Sequence, residues 1–344
     1  MRERPALCVT VTAPTMRELR ACRDNVGEAD LVELRLDSVA DPDVSAALAD
    51  RRRPVVVTCR PVWEGGTFSG SEEERRRILV SALDRGAEYV DVEWRAGFDD
   101  LVRRRGGRGI VLSMHEFGPP PADLADRYRL MRATGAEILK IAVNAERLAE
   151  TLPLLQLGRE ARGGRAAFVA MGAAGLATRV LAARFGSCWT YAGAETALGQ
   201  IPAARLLKEF RLRAVTEATD VYAVVGRPID HSVSPAMHNG GFDASGVDAV
   251  YLPLEAVDAD DLIAFARAIG LKGCSVTAPF KRDLLRRVDE ADETSVRIGA
   301  LNTIKADGSR WLGRNTDVAG FLTPLESRLN LTGVRAAVLG AGGA

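Results

Sequence analysis

Lysine is almost missing from this chain. Only five of its 46 basic residues are lysines, at positions 140, 208, 272, 281 and 305, and arginine supplies the rest. Histidine is scarcer still, with three copies. The five cysteines (Cys8, Cys22, Cys59, Cys188 and Cys274) are odd in number, scattered and without a C-x-x-C pair. That argues against a disulfide framework or a zinc site and suits reduced thiols. There is no charge excess either: 46 basic and 46 acidic residues give a formal net charge of zero. The balance offers nothing to a nucleic acid or an anionic membrane. No long apolar run is present; the small-residue stretch 166–178 is interrupted by glycines and stops at Arg179, too short to span a bilayer. The first residues, Met1-Arg2-Glu3-Arg4-Pro5, lead straight into a strand-like run, so no signal peptide is expected. A soluble cytoplasmic protein is the expectation.

At 344 residues, two domains are expected. Short β-rich runs at 7–12, 31–36, 55–59, 89–93, 110–114, 138–143, 167–171 and 189–192 alternate with amphipathic stretches such as 72–85, 122–133, 146–160 and 176–185. Eight strand–helix units predict a closed parallel (β/α)8 barrel of the TIM type over 1–215, an open doubly wound sheet being the alternative. The pattern restarts near Asp220, with strands at 221–225, 250–253 and 273–277 and a helix at 262–269, predicting an α/β domain over 220–330. A last strand is expected at 334–339, running into Gly340-Ala341-Gly342-Gly343-Ala344. A glycine turn after a strand is how a dinucleotide-binding βα unit opens, so 331–344 reads as the start of such a domain.

In a barrel, chemistry gathers at the C-terminal ends of strands. Glu33 and Arg35 close the second run, Arg60 follows the third, Glu93 ends the fourth, His115 ends the fifth and Lys140 lies on the sixth. Lys140 stands within Glu137-Ile138-Leu139-Lys140-Ile141-Ala142-Val143. Burial of an unpaired ammonium lowers its pKa and leaves a neutral amine able to attack a ketone. A snorkelling or salt-bridged lysine is the alternative. An imine next to a carbon losing a proton acts as an electron sink, and His115 could shuttle that proton. Arg35, Arg60 and Arg179 suit a carboxylated, polyhydroxylated substrate.

Val32-Glu33-Leu34-Arg35-Leu36-Asp37, Thr58-Cys59-Arg60, Glu64-Gly65-Gly66, Ser113-Met114-His115, Leu139-Lys140-Ile141 and Gly199-Gln200-Ile201-Pro202 together resemble type I 3-dehydroquinate dehydratase. The resemblance implies an imine between Lys140 and the ketone, His115 as acid/base and Glu64 orienting it. It implies Glu33, Arg35 and Arg60 lining the pocket, Arg179 on the substrate carboxylate, and Thr196 and Gln200 on a lid. The implied reaction is loss of water from 3-dehydroquinate to give 3-dehydroshikimate, without a cofactor or metal. Many relatives have Ser and Pro where Thr196 and Leu198 stand here, which implies an altered closing rate with the chemistry kept. Lys140→Ala is expected to abolish turnover and leave the fold largely intact.

The remainder carries Ser232-Val233-Ser234-Pro235, Ser275-Val276-Thr277, Lys281, Gly299-Ala300-Leu301-Asn302-Thr303 and Asn315-Thr316-Asp317. Clustered Ser, Thr and Asn on loops suggest a site for a small hydroxylated ligand, although the same residues also serve as ordinary helix caps. The set resembles the substrate-binding half of shikimate dehydrogenase, in the order of the plant-type fusion. It implies Ser232 and Ser234 on the shikimate carboxylate, Thr277 and Asn302 on ring hydroxyls, and Lys281 with Asp317 as the catalytic pair. Gly340, Ala341, Gly342, Gly343 and Ala344 match the opening of the NADP-binding loop. With the helix that should follow lying beyond Ala344, the chain as given is expected to dehydrate but not to reduce. Small-molecule substrates are the expected partners, and a homodimer is compatible with the residues. Another class I Schiff-base barrel of the aldolase type, or a non-catalytic sensor of quinate-like metabolites, are the competing readings.

Overall fold

The computed structural model describes residues 4–161, 165–172, 174–193 and 200–337. The chain divides into two units, residues 1–146 with 150–218, and residues 219–344 with 147–149.

In the first unit the strands are β1 (Ala6–Val11), β2 (Leu31–Arg35), β3 (Val55–Thr58), β4 (Tyr89–Glu93), β5 (Ile110–Glu116), β6 (Ile138–Asn144), β7 (Arg165–Met171) and β8 (Trp189–Ala192). All neighbours pair in parallel, in the order β7-β6-β5-β4-β3-β2-β1-β8. The ladder is continuous except at the seam between β7 and β8. There Cys188 N–H donates to Ala166 C=O at 2.7 Å and Phe168 N–H to Ser187 Oγ at 2.9 Å. This is a nearly closed α/β barrel, as the strand–helix alternation predicts. Runs such as Val55-Val56-Val57 are apolar throughout because a parallel strand is covered on both faces.

Side chains alternate across each strand. The barrel's lower interior is therefore filled by Cys8, Leu31, Val56, Val111, Ile138, Ala167 and Trp189. Two residues further along the same strands the interior turns polar: Thr10, Glu33, Thr58, Ser113 and Lys140 are all buried.

Two of the expected helices are shorter. The one expected from 146 begins at Leu152, because Pro153 fits only the first helical turn and a 3-10 turn (Leu148–Thr151) precedes it. The one expected over 176–185 spans Gly175–Val180.

The second unit is a six-stranded mixed sheet of β9 (Asp220–Gly226), β10 (Ala249–Glu255), β11 (Gly273–Val276), β12 (Glu290–Ala291), β13 (Thr303–Asp307) and β14 (Arg310–Arg314). The order is β10-β9-β11-β13-β14-β12, with β9, β10 and β11 parallel and β13 antiparallel to both its neighbours. The β13–β14 hairpin turns through Gly308-Ser309 after Asp307, with Gly308 at φ +61°. The strand expected at 334–339 is not formed over 334–337; residues 338 and 339 lie outside the described residues. No helix among the described residues is long and apolar enough to cross a membrane.

Candidate active site

Lys140 points into the barrel with only 5% of its surface exposed. Its Nζ donates to Asp91 Oδ2 at 3.0 Å and to Glu33 Oε1 at 3.1 Å, and sits 4.4 Å from the centre of the Tyr191 ring. Burial alone would push the ammonium's pKa down. The charges of Asp91 and Glu33 outweigh that, and the net shift is upward. The amine is thus an ammonium at rest, and the neutral nucleophile expected from the apolar strand is corrected. The strand's sequence shows the burial but not the two acids that β2 and β4 bring to it.

Those acids are held in turn. Glu33 accepts from Thr10 Oγ1 at 2.7 Å and Thr58 Oγ1 at 2.9 Å. Asp91 accepts from Arg60 Nη2 at 2.9 Å and from the Ser113 hydroxyl. Burial raises both carboxyls. Lys140 pulls Glu33 down, Arg60 and Lys140 pull Asp91 down, and each ends at about 2. Arg60, 3% exposed, also donates through Nη1 to Glu93 at 2.8 Å and to Ser113 at 2.8 Å. Asp91 was not among the residues singled out from the sequence. Its signal was there in Tyr89-Val90-Asp91-Val92-Glu93, where two acids at i and i+2 of a buried strand must share one face.

At the rim, Glu64 Oε1 accepts from the His115 backbone N–H at 2.9 Å and lies 3.2 Å from His115 Nδ1. Burial lifts the Glu64 carboxyl to about 7, with Arg60 opposing. Burial, then the charges of Arg60 and Lys140, hold the imidazole well below its ordinary range, so His115 is neutral. The loop carrying Glu64 turns back on Arg60 through Gly65 (φ +74°) and Gly66. A Cβ on Gly66 would lie 2.0 Å from the Arg60 carbonyl oxygen, so glycine is required there.

Arg35 pairs bidentately with Asp37 at 2.9 and 2.7 Å. Arg179, 3% exposed, donates through Nη1 to the carbonyls of Ala170 and Gly175, while its Nε has no partner among the described residues. Among the described residues no carboxylate faces it, and burial lowers its pKa to about 10. Gln200 packs on Gly193, whereas Thr196 lies outside the described residues. A cavity of about 820 Å³ opens at the opposite face, among Ala6, Leu31, Pro54, Tyr89, Arg165 and Trp189. It contains none of these groups, and their shared chemistry locates the site better than cavity size does. Among the described residues no group of three or more His, Cys, Asp or Glu side chains could hold a metal ion.

In the second unit Lys281 Nζ donates to Asp317 Oδ2 at 2.7 Å, and Asn302 Nδ2 to Asp317 Oδ1 at 2.6 Å. Asn315 positions this helix start by accepting from Asp317 N–H at 3.1 Å. Thr277 and the Ser232–Ser234 turn lie on loops leaving β11 and β9. These loops touch where a Cβ on Gly226 would meet Thr277 at 2.5 Å. The Ser234 N–H donates to Ser232 Oγ at 3.3 Å. The Tyr251 hydroxyl, not foreseen, donates to Ser275 Oγ at 2.8 Å. Gly340, Ala341, Gly342, Gly343 and Ala344 lie outside the described residues.

The first unit is thus a parallel barrel with one interior lysine, a carboxylate pair around it and a His–Glu pair at its mouth. Residues 7–217 match the type I 3-dehydroquinase family, and residues 224–304 match the shikimate dehydrogenase substrate binding domain. The chain belongs to the type I 3-dehydroquinase family. It is 34% identical over 325 residues to the chloroplastic bifunctional 3-dehydroquinate dehydratase/shikimate dehydrogenase of Arabidopsis thaliana, covering 89% of this chain and 53% of that protein. It is 44% identical over 127 residues to a shikimate dehydrogenase (NADP(+)) of Syntrophobacter fumaroxidans, covering 37% of this chain and 44% of that one. The crystal structure of 3-dehydroquinate dehydratase from Geobacillus kaustophilus superposes with a TM-score of 0.52 at 28% identity, over 59% of this chain and 88% of that one. The chain spans about half the length of the curated relatives it matches.

Proposed function

We propose that the barrel dehydrates 3-dehydroquinate to 3-dehydroshikimate through an imine on Lys140. The observation that carries this reading is the single buried lysine held between Glu33 and Asp91, with the neutral His115 imidazole at the same end of the barrel. Even at the ordinary ammonium pKa of about 10.4, only about one lysine in a thousand is neutral near pH 7.4, a cost of about 4 kcal/mol. Attack on the ketone therefore begins with proton transfer from Nζ to a neighbouring base. Loss of water from the carbinolamine then gives an iminium, which restores the positive charge between the same two carboxylates. The iminium draws electrons from the adjacent carbon. His115, with Nδ1–H donating to ionised Glu64, takes that carbon's proton at Nε2 and returns a proton to the departing hydroxyl. Arg179, buried with no counter-charge among the described residues, meets the substrate carboxylate. Glu33, Arg35 and Arg60 line the pocket, and Thr196 and Gln200 belong to its lid.

We infer further that the second unit binds the shikimate skeleton, with Lys281 and Asp317 as its proton-transfer pair, Asn302 and Thr277 on hydroxyls and Ser232 and Ser234 on the carboxylate. NADP is the cofactor this reading implies, to be held at Gly340, Ala341, Gly342, Gly343 and Ala344; it would accept or donate the hydride.

Borohydride reduction in the presence of 3-dehydroquinate tests the dehydratase reading. The expected result is irreversible inactivation with one substrate-sized mass increase on Lys140, absent in Lys140→Ala. Turnover that survives borohydride unlabelled would overturn it.

A further inference from the structure

Behind the Lys140 site lies a residue the proposed chemistry does not use. Arg75, on the outer helix Glu72–Asp84, has a fully buried side chain. Its Nη1 donates to Glu93, whose other oxygen takes Arg60 Nη1 at 2.8 Å. Its Nη2 and Nε reach Glu72 Oε2 at 2.6 and 2.9 Å. Its guanidinium lies 4.8 Å from the Phe98 ring centre and 5.8 Å from that of Trp63. Trp63 in turn donates Nε1–H to Glu72 Oε1 at 3.0 Å. Charge therefore alternates from Lys140 through Asp91, Arg60, Glu93 and Arg75 to the half-exposed Glu72. The same guanidinium also pins Trp63, the residue before Glu64.

We propose that Arg75 is a positioning residue for the barrel's reaction: it keeps Glu93 ionised under Arg60 and fixes the loop that carries Glu64. The inference rests on the Schiff-base reading above. The groups facing Glu93 are Arg60 from beyond β3, Asp91 on its own strand, Glu64 from the loop after β3 and Arg75 from the helix. Burial, and then the Asp91 charge, work against its ionisation even with both guanidiniums in place. Without Arg75, Lys140 and Arg60 must hold three buried carboxylates, Glu33, Asp91 and Glu93, and the least favoured one takes a proton. Glu93 is that one. Facing Glu64 are His115, Arg60, Glu93 and Asp91. Arg60 favours its ionisation, whereas Glu93 and Asp91 oppose it. Protonating Glu93 removes a repulsion and lets Glu64 ionise at lower pH.

The test compares Arg75→Met, Arg75→Lys and Glu93→Gln in the full chain, following kcat/KM for 3-dehydroquinate against pH. Arg75→Met should lower kcat by about tenfold and move the acid limb down by about one pH unit. Glu93→Gln should reproduce that shift, the double variant should add nothing further, and Arg75→Lys should restore the wild-type limb. Equal losses in Met and Lys with an unmoved limb would overturn the proposal and leave Arg75 a packing residue. Should wild-type protein show no turnover and no borohydride capture, the parent reading fails instead. Should wild-type turn over while Arg75→Met does not fold, the Glu93→Gln limb decides.

Discussion

Replacing Lys140 by Met should destabilise the barrel as well as silence it. The ammonium lies 3.0 Å from Asp91 and 3.1 Å from Glu33, and both carboxyls are held at about 2 although burial pushes each up. Against ordinary values near 4, a drop of about two units in Glu33 is worth about 3 kcal/mol. Removing one partner of a buried pair costs about 3–5 kcal/mol. The sign follows from which form is favoured. A depressed carboxyl stabilises the fold above its unfolded pKa of about 4, and that contribution fades as pH falls toward 2. A raised ammonium pKa stabilises the fold below about 10, so the lysine's own contribution is flat between pH 5 and 8. In Lys140→Met, Glu33 and Asp91 face one another with less counter-charge and titrate upward. The deficit against wild type should therefore be about 3–5 kcal/mol at pH 8 and smaller at pH 5. Urea unfolding of the barrel transition, followed by circular dichroism, measures it, and Lys140→Met with Asp91→Asn should recover part of the loss. A Met variant as stable as wild type at both pH values would show that the amine is buried neutral and refute the charge assignment. The expectation that removing Lys140 leaves the fold largely intact omitted these two carboxylates.

Glu64→Gln should lower kcat/KM by about 10- to 100-fold at pH 8 and abolish the ionisation near pH 7, since Glu64 is the group lifted to about 7. Because activity needs Glu64 ionised to accept from His115 Nδ1, wild-type rate should rise through that pH while the variant's stays level; a wild-type limb elsewhere would contradict this. Arg179→Met should raise KM about 100-fold with a smaller change in kcat, and should stabilise the substrate-free fold by about 1 kcal/mol, because an unmatched buried cation is removed. Calorimetry of shikimate binding should show Asp317→Asn about 10- to 100-fold weaker, from one lost charge-assisted hydrogen bond. Unaltered binding would remove Asp317 from that site.

The barrel was legible because its signal is periodic: eight apolar runs, each framed by an amphipathic stretch, with strand ends shifted by only a residue or two. Helix ends were less so. Pro153 delays one helix, and the Gly308-Ser309 turn makes the β13–β14 hairpin, with Gly at the first central position as its local cue. Among site residues, Glu33, Arg60, His115 and Lys140 could be found singly, because each interrupts or ends an apolar run. What sequence order does not show is pairing across strands. Asp91 is 49 residues from Lys140 and Glu33 is 107, yet both touch its amine. Arg75 was hidden differently, on a helix rich in charge, where Glu72, Glu73, Glu74, Arg76 and Arg77 make it look like one more surface residue. Only its packing against Phe98 and Glu93 separates it from them.

The corrected charge on Lys140 bears on how the reaction is shared among its steps. Around the amine, three cations (Lys140, Arg60, Arg75) face three buried anions (Glu33, Asp91, Glu93), and Arg35 is matched by Asp37. Among the described residues Arg179 alone is unmatched, and the carboxylate of the proposed substrate would balance it. Glu64 at the rim apart, this inner set then sums to zero whenever the lysine nitrogen carries one positive charge, as it does in the ammonium and in the iminium. It is one positive charge short whenever that nitrogen is neutral and its proton lies on a base outside the set, as in the free amine and the carbinolamine. In a buried site an unbalanced charge is costly. The covalent iminium is thus favoured relative to the species on either side of it. The difficult steps become imine formation and imine hydrolysis, while removal of the carbon-bound proton takes place from the state the protein holds best.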